Sequence, residues 1–338
     1  MIERIHFENF KVLRDSTLPL SRVTLIVGPN GSGKSTCLQA LESISSPGKF
    51  HWGRLVWAGA RGDREATARV TVHWTDHADQ RYTTTVVWTW DGPTALQDAN
   101  FRGERPPEEL LSVFHQRITR FRLFTLNASS ILKPVTLSPY LLLSETGEGL
   151  AGILDKLRDQ DPERFELLNR ELQIWMPEFD RILFETPQES MRSFLLRSRE
   201  GQFKIGAHDL SQGTLLALAI LTMAYLPDPP PIVAMEEPDR GIHPRLLRHV
   251  KDAIYRLAYP ESVGEKRDPA QVIVTTHSPY MLDLFRDRPE DIVIAEKVED
   301  NVQFHRLSER KDLDEILENI HLGDAWYSGI LGGVPAEK

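Results

Sequence analysis

Cysteine is almost absent: 338 residues carry one, Cys37. That excludes an internal disulfide and fits a reducing compartment, so the expected location is cytoplasmic. Long apolar runs are missing too. No stretch approaches the roughly 18 consecutive apolar residues of a membrane span, and the opening Met1-Ile2-Glu3-Arg4-Ile5-His6 has no signal-peptide pattern, so no membrane partner is expected. Positive charge is short: 40 Lys and Arg against 49 Asp and Glu give a net charge of -9, which excludes an indiscriminate polyanion binder. Internal repeats, low-complexity tracts and sustained heptads are also missing, so there is no long coiled coil.

What is present is ordinary for a globular chain, with 41% hydrophobic and 26% charged residues. Residues 28 to 36 read Gly-Pro-Asn-Gly-Ser-Gly-Lys-Ser-Thr, which fits the phosphate-loop pattern G-x-x-x-x-G-K-[ST]. The apolar run 23–27 before it reads as a buried strand, and Cys37, Leu38, Ala40, Leu41 and Ile44 after it recur at helical spacing. Gly28, Gly31 and Gly33 let the backbone curl so that N–H groups face an anion, beside a helix N-terminus. Asn30, Gly31, Ser32, Gly33, Lys34, Ser35 and Thr36 are the expected contacts to a nucleoside triphosphate. Lys34 reaches the β- and γ-phosphates, and the Ser35 hydroxyl meets Mg²⁺. Cys37 reads as a packing residue of that helix.

Three further motifs follow in order. Asp209-Leu210-Ser211-Gln212-Gly213 opens an apolar helix over 210–225; a helix cap explains it, and so does an anion site. The apolar strand 232–235 runs into Glu236-Glu237-Pro238, which places one carboxylate for the metal and one for the attacking water. The apolar strand 272–276 ends in His277-Ser278-Pro279, and a histidine there faces the crevice where open α/β sheets hold ligands. Elsewhere, 68–74 and 82–88 read as antiparallel strands separated by a break over 76–79. Residues 91–110 read as a loop, 148–175 as two helices, 244–257 as a helix and 292–294 as a strand.

The order phosphate loop, Leu-Ser-x-Gly, acidic strand, histidine strand resembles the ATPase head of the ABC superfamily, in its SMC/RecF/OLD-like branch. Glu236 through Pro244, Thr275-Thr276-His277-Ser278-Pro279, Phe7 through Lys11, and the tail Leu322 through Trp326 and Leu331 through Gly333 are similar to the bacterial AAA-type "predicted ATP-binding" proteins of antiphage defence. The resemblance implies an α/β P-loop NTPase with a mixed sheet, N-terminal antiparallel hairpins and a short helical lobe. It implies a single head over 1–338, with core 1–90 and 181–338 and the lobe over about 91–180. It further implies ATP and Mg²⁺ as ligands, catalytic Glu237 and His277, and metal contacts from Ser35 and Glu236. Lys11 approaches the phosphates. Two copies, or a higher assembly of them, close around ATP, with Ser211, Gln212, Gly213 and Asp239 reaching the partner's nucleotide. The sequence departs from the family pattern where Glu236 replaces an Asp and Gln212 a Gly; Asn127 is the candidate for a missing metal-contacting Gln.

No nuclease motif follows the head: the run 292–297 lacks a following Asp-x-Asp, and no His/Asn cluster of HNH type is present. The expected function is therefore an ATP-driven switch coupled to a separately encoded effector, in antiphage defence or DNA repair. The alternatives are a RecF-like ATPase acting directly on DNA and a slowly hydrolysing scaffold. Candidate nucleic-acid contacts are Arg117, Arg120 and Arg122, and Arg245, Arg248 and Lys251, although a solvated face accounts for both groups. A transporter subunit is disfavoured by the Glu-Glu-Pro and Thr-Thr-His-Ser-Pro motifs.

Overall fold

A computed structural model describes residues 1–60, 62–76, 80–93, 105–332 and the backbone of 97–100. Gly333 and the break residues 77–79 lie outside them. The chain begins with β1 (Ile2–Phe10), β2 (Leu13–Pro19), β3 (Val23–Val27), α1 (Lys34–Ser45) and the single turn α2 (Trp52–Leu55). Next come β4 (Ala68–Thr75), β5 (Arg81–Thr89), β6 (Gly92–Pro93), β7 (Gln97–Asn100), α3 (Glu108–Thr119), β8 (Arg122–Phe124), α4 (Ala128–Ile131) and β9 (Val135–Thr136). Helices α5 (Leu150–Gln160) and α6 (Pro162–Trp175) precede β10 (Phe179–Glu185), β11 (Met191–Ser198), β12 (Lys204–Gly206) and α7 (Gln212–Ala224). The rest is β13 (Ile232–Glu236), α8 (Leu247–Ala258), β14 (Gln271–Thr276), α9 (Pro279–Leu284), β15 (Ile292–Val298), β16 (Asn301–Arg306), α10 (Leu313–Asn319) and α11 (Leu322–Tyr327).

Two compact units share the chain. The first comprises Met1–Leu123, Pro230–Ala234 and Ala270–Lys338; the second comprises Phe124–Pro229 and Met235–Pro269. In the first unit an antiparallel sheet runs β2-β1-β4-β5-β6, with β7 also on β5. Its alternation is plain in β5, where Tyr82, Thr84, Val86 and Trp88 turn inward and the odd positions outward. A second, mixed sheet runs β16-β15-β3-β14-β13-β8, with β3 parallel to both β14 and β15. All five residues of β3 are buried, which is why it reads as one apolar run. Phe7, Phe10, Leu38, Leu41, Val72 and Trp88 form part of the continuous apolar core of this unit.

The loop expected over 91–110 is partly regular. Gly92, at φ 121, turns β5 into β6, Gln97–Asn100 pairs with β5, and α3 begins at Glu108. The prolines masked that pairing in the sequence: Pro93 sits in the two-residue strand β6 itself, opposite Trp88, and Pro106 and Pro107 lead into α3.

The second unit holds the two expected helices, with Asp161 capping α6 and Pro162 in its first turn. They accompany a small antiparallel sheet, β10-β11-β12 with β9 on β11, which the sequence reading did not anticipate. Helix α7 is buried from Leu215 to Ala224 and packs on α8, while Trp175 stacks on His249 with ring centroids 5.5 Å apart. Glu265, with a side chain 12% exposed, is held by Arg164, Arg256 and Arg267. Burial alone would raise its pKa. The hydrogen bond from Arg267 and the charges of Arg256, Arg267 and Arg164 outweigh that and hold it below the usual carboxylate range.

Candidate nucleotide site

The register of the mixed sheet sets the phosphate loop between two neighbours. Thr276 pairs with Val27 and Ile294 also pairs with Val27, so His277 and Ala295 stand level with Gly28 where β3 ends. The loop is tight there. A Cβ on Gly28 would lie 2.4 Å from the Ala295 carbonyl oxygen and 2.6 Å from Ser32 Oγ. Gly31 and Gly33 instead take left-handed backbone, at φ 79 and φ 84, which turns the chain into α1.

Gly33 is the N-cap of α1 and offers no side chain, and the first turn carries no acid. A helix N-terminus with no side-chain acceptor presents its N–H groups and the positive end of its dipole to an anion. Lys34 is buried and donates to the carbonyls of Gly28, at 2.8 Å, and Pro29, at 3.0 Å. Ser32 Oγ is buried without a hydrogen-bond partner, a cost that a phosphate oxygen would remove. Ser35, second in the helix, is exposed. These residues fit a triphosphate.

Lys11 occupies the turn between β1 and β2 in left-handed backbone, φ 53, and its Nζ donates to Gln39 Oε1 on α1. Leu13, two residues on, lies 3.0 Å from the position of a Cβ on Gly33. The structure therefore brings Lys11 to the helix that opens the loop, through Gln39, a partner the sequence reading missed. His277 is half-buried, and Ser278 after it caps α9 by accepting from the Met281 N–H.

The remaining candidates belong to the second unit, where two segments meet. Ser211 caps α7: its Oγ accepts from the Thr214 N–H at 3.1 Å and lies 2.8 Å from Thr214 Oγ1. A Cβ on Gly213 would come within 2.9 Å of the Gly241 carbonyl oxygen, and Gly241, at φ 78, lies against the Gln212 amide. Gln212, Gly213 and the turn after Asp239 thus form one surface. Glu236 accepts a hydrogen bond from Thr125 Oγ1 at 3.2 Å, a pairing across 111 residues that no local signal announces. Glu237 is in left-handed backbone, φ 46, a cost usually found at functional positions. Asn127 caps α4, its Oδ1 accepting from the N–H and hydroxyl of Ser129.

Among the described residues no three His, Cys, Asp or Glu side chains cluster as a metal cage. Mg²⁺ in nucleotide sites needs none, since one or two protein ligands, phosphates and waters suffice. Among the described residues no helix is long and apolar enough to cross a membrane.

The chain is similar to the OLD nuclease of Thermus scotoductus, with 24% identity spanning 96% of this chain and 68% of that protein. Its fold is similar to a solved structure of the recombination mediator protein RecF, described as RecF-ATPrS in the RecFOR pathway. That likeness covers 90% of this chain and 98% of RecF at a TM-score of 0.50 and 12% identity. The family described as "AAA domain, putative AbiEii toxin, Type IV TA system" matches residues 23–283. With loop, strands and fold in agreement, the chain belongs to that AAA-domain family, as a nucleotide-binding ATPase of the SMC/RecF/OLD-like branch of the ABC superfamily.

Proposed function

We propose that this chain is a single ATPase head, 1–338, that binds and hydrolyses ATP as a switch, closing in pairs around the nucleotide and passing that state to a separately encoded effector. The observation that carries the reading is the phosphate loop: a helix N-terminus without a side-chain cap, a buried Ser32 hydroxyl without an acceptor, and a Lys34 ammonium resting on loop carbonyls. Binding exchanges those carbonyls for phosphate oxygens.

In hydrolysis, water attacks the γ-phosphorus, the bond from it to the bridging β–γ oxygen breaks, and Glu237 accepts the water's proton. ADP and phosphate leave. Ser35 and Glu236 would hold Mg²⁺, which would supply positive charge against the phosphates. Thr125 orients the Glu236 carboxylate, and His277 donates to the γ-phosphate. Ser211, Gln212, Gly213 and Asp239 of one copy reach the nucleotide of the other. The joined surface of Gln212, Gly213 and Gly241 supports treating these residues as one contact element. The setting we assign is cytoplasmic, in antiphage defence or DNA repair.

Similarity to a nuclease over nearly the whole chain favours a second reading, in which DNA is the direct ligand. Hydrolysis stimulated by DNA without another protein separates the two. The primary test is turnover of ATP by purified protein together with its mass in solution, with and without ATP. A monomer in ATP and no turnover would sink the proposal.

A further inference from the structure

The histidine strand runs into a short helix that the C-terminal segment grips. Thr276, the last residue of β14, pairs with Val27 of β3, so the chain entering His277 is fixed by the sheet. On the far side, Thr276 Oγ1 accepts from the Ser278 N–H at 2.9 Å, and Ser278 Oγ accepts from the Met281 N–H at 3.3 Å. His277 therefore bridges a strand end and the start of α9, and its ring goes where α9 goes.

Helix α9 has six residues, too few to hold a place by its own hydrogen bonds. Met281 and Leu282 bury one side of it. Helix α11 holds another. Asp283 Oδ1 accepts from the Gly323 N–H at 2.8 Å, and Arg286, just past the end of α9, donates to the Ile320 carbonyl at 3.2 Å. The two helices meet at Gly323. A Cβ there would stand 2.8 Å from the Pro279 carbonyl oxygen and 2.9 Å from both Pro279 Cβ and Asp283 Oδ2. Gly323 lies in the first turn of α11, whose N-cap His321 makes no side-chain cap, so Asp283 supplies from α9 the acceptor and the negative charge that this end of α11 calls for.

We propose that Asp283 and Gly323 are positioning residues for His277: the clasp of α11 on α9 sets where the imidazole stands against the γ-phosphate. This rests on His277 acting on that phosphate. None of the contacts just named involves the phosphate loop, so the clasp acts on turnover rather than on nucleotide affinity. A shift of about 1 Å in a reacting group is enough to cost on the order of 100-fold in rate.

The test is steady-state ATP turnover together with calorimetric ATP binding, on the full chain and its variants. Asp283→Ala should lower kcat about 10-fold or more and leave ATP affinity within about two-fold. Asp283→Asn, which keeps an oxygen facing Gly323, should recover most of that loss. Gly323→Ala, which drives a methyl into Pro279, should behave like Asp283→Ala. His277→Ala should lose about 100-fold in kcat, and adding Asp283→Ala to it should change kcat by less than about two-fold, because nothing is left to position. A merely structural clasp predicts instead that the two losses multiply. Multiplying losses, wild-type kcat in Asp283→Ala, or affinity falling in step with kcat each overturns the proposal. Should Asp283→Ala or Gly323→Ala fail to fold, the other decides, and wild-type kcat in it overturns the clasp. Unchanged turnover in His277→Ala refutes the role of the histidine itself, whereas a slow His277→Ala beside an unimpaired Asp283→Ala keeps the histidine and removes only the clasp.

Discussion

Alanine at Gly28 and alanine at Gly31 should injure the same loop by different routes and to different depths. At Gly28 the added methyl would sit 2.4 Å from the Ala295 carbonyl oxygen. A carbon normally approaches a carbonyl oxygen no closer than about 3.3 Å, so the overlap is roughly 0.9 Å. Ala295 cannot give way cheaply, because β15 is paired on one side with β3 and on the other with β16, where Ala295 faces Phe304. The cost therefore falls at the top of the range for overpacking, about 3 kcal/mol, on the order of 100-fold in the folded-to-unfolded ratio. At Gly31 no heavy atom lies within 4 Å of the new methyl, and only the left-handed backbone at φ +79 is penalised. That is about 1–2 kcal/mol. Urea titration of both variants reads the difference as a lower midpoint for Gly28→Ala than for Gly31→Ala. Equal midpoints, or the reverse order, would refute the packing of the loop against β15.

Glu237→Gln should lower the rate of hydrolysis by about 100-fold or more while ATP stays bound, measured as phosphate release against retained nucleotide; unchanged turnover removes Glu237 as the proton acceptor. Glu265→Gln leaves three arginines around a neutral group and should cost about 3–5 kcal/mol in urea titration. The pH dependence has a definite sign. Because the folded-state pKa of Glu265 is depressed, its stabilisation is complete above the unfolded value near 4.3, and is lost as pH falls through the lower folded value. The variant should therefore show a flatter acid limb, and an acid limb identical to the wild type would count against the cluster.

The residues legible in the sequence were those whose chemistry demands a local pattern. Gly31, Gly33 and Lys34 announce a loop because the backbone and the charge must meet within seven residues, and the β3 and β14 runs announce buried parallel strands because both faces are covered. Pairings across long separations left no such mark. Thr125 meets Glu236, and Arg14 meets Trp57, through strand order alone. Likewise β10 carries Arg181, and β11 carries Arg192 and Arg197, among their apolar residues, so their alternation is blurred by ion pairs with Glu166, Asp155 and Asp180. The two-way reading of Ser211 as cap or anion contact was left open by the sequence, and the cap is what one copy of the chain displays.

The two roles of Ser211 can be separated by a single substitution. Aspartate caps helices about as well as serine, so Ser211→Asp should keep the fold within about 0.5 kcal/mol, whereas Ser211→Ala should cost about 1 kcal/mol. A contact with the partner's γ-phosphate behaves oppositely. Alanine removes one hydrogen bond, but aspartate brings a negative charge against phosphate, a repulsion of roughly 4 kcal/mol at about 4 Å and an effective dielectric of 20. Two-fold symmetry repeats that at both sites. In a Glu237→Gln background with ATP and Mg²⁺, light scattering should therefore find Ser211→Asp folded and monomeric at concentrations where the parent is paired. A Ser211→Asp protein that pairs as readily as its parent would confine this serine to the cap and leave the closure of two copies over ATP without its central contact.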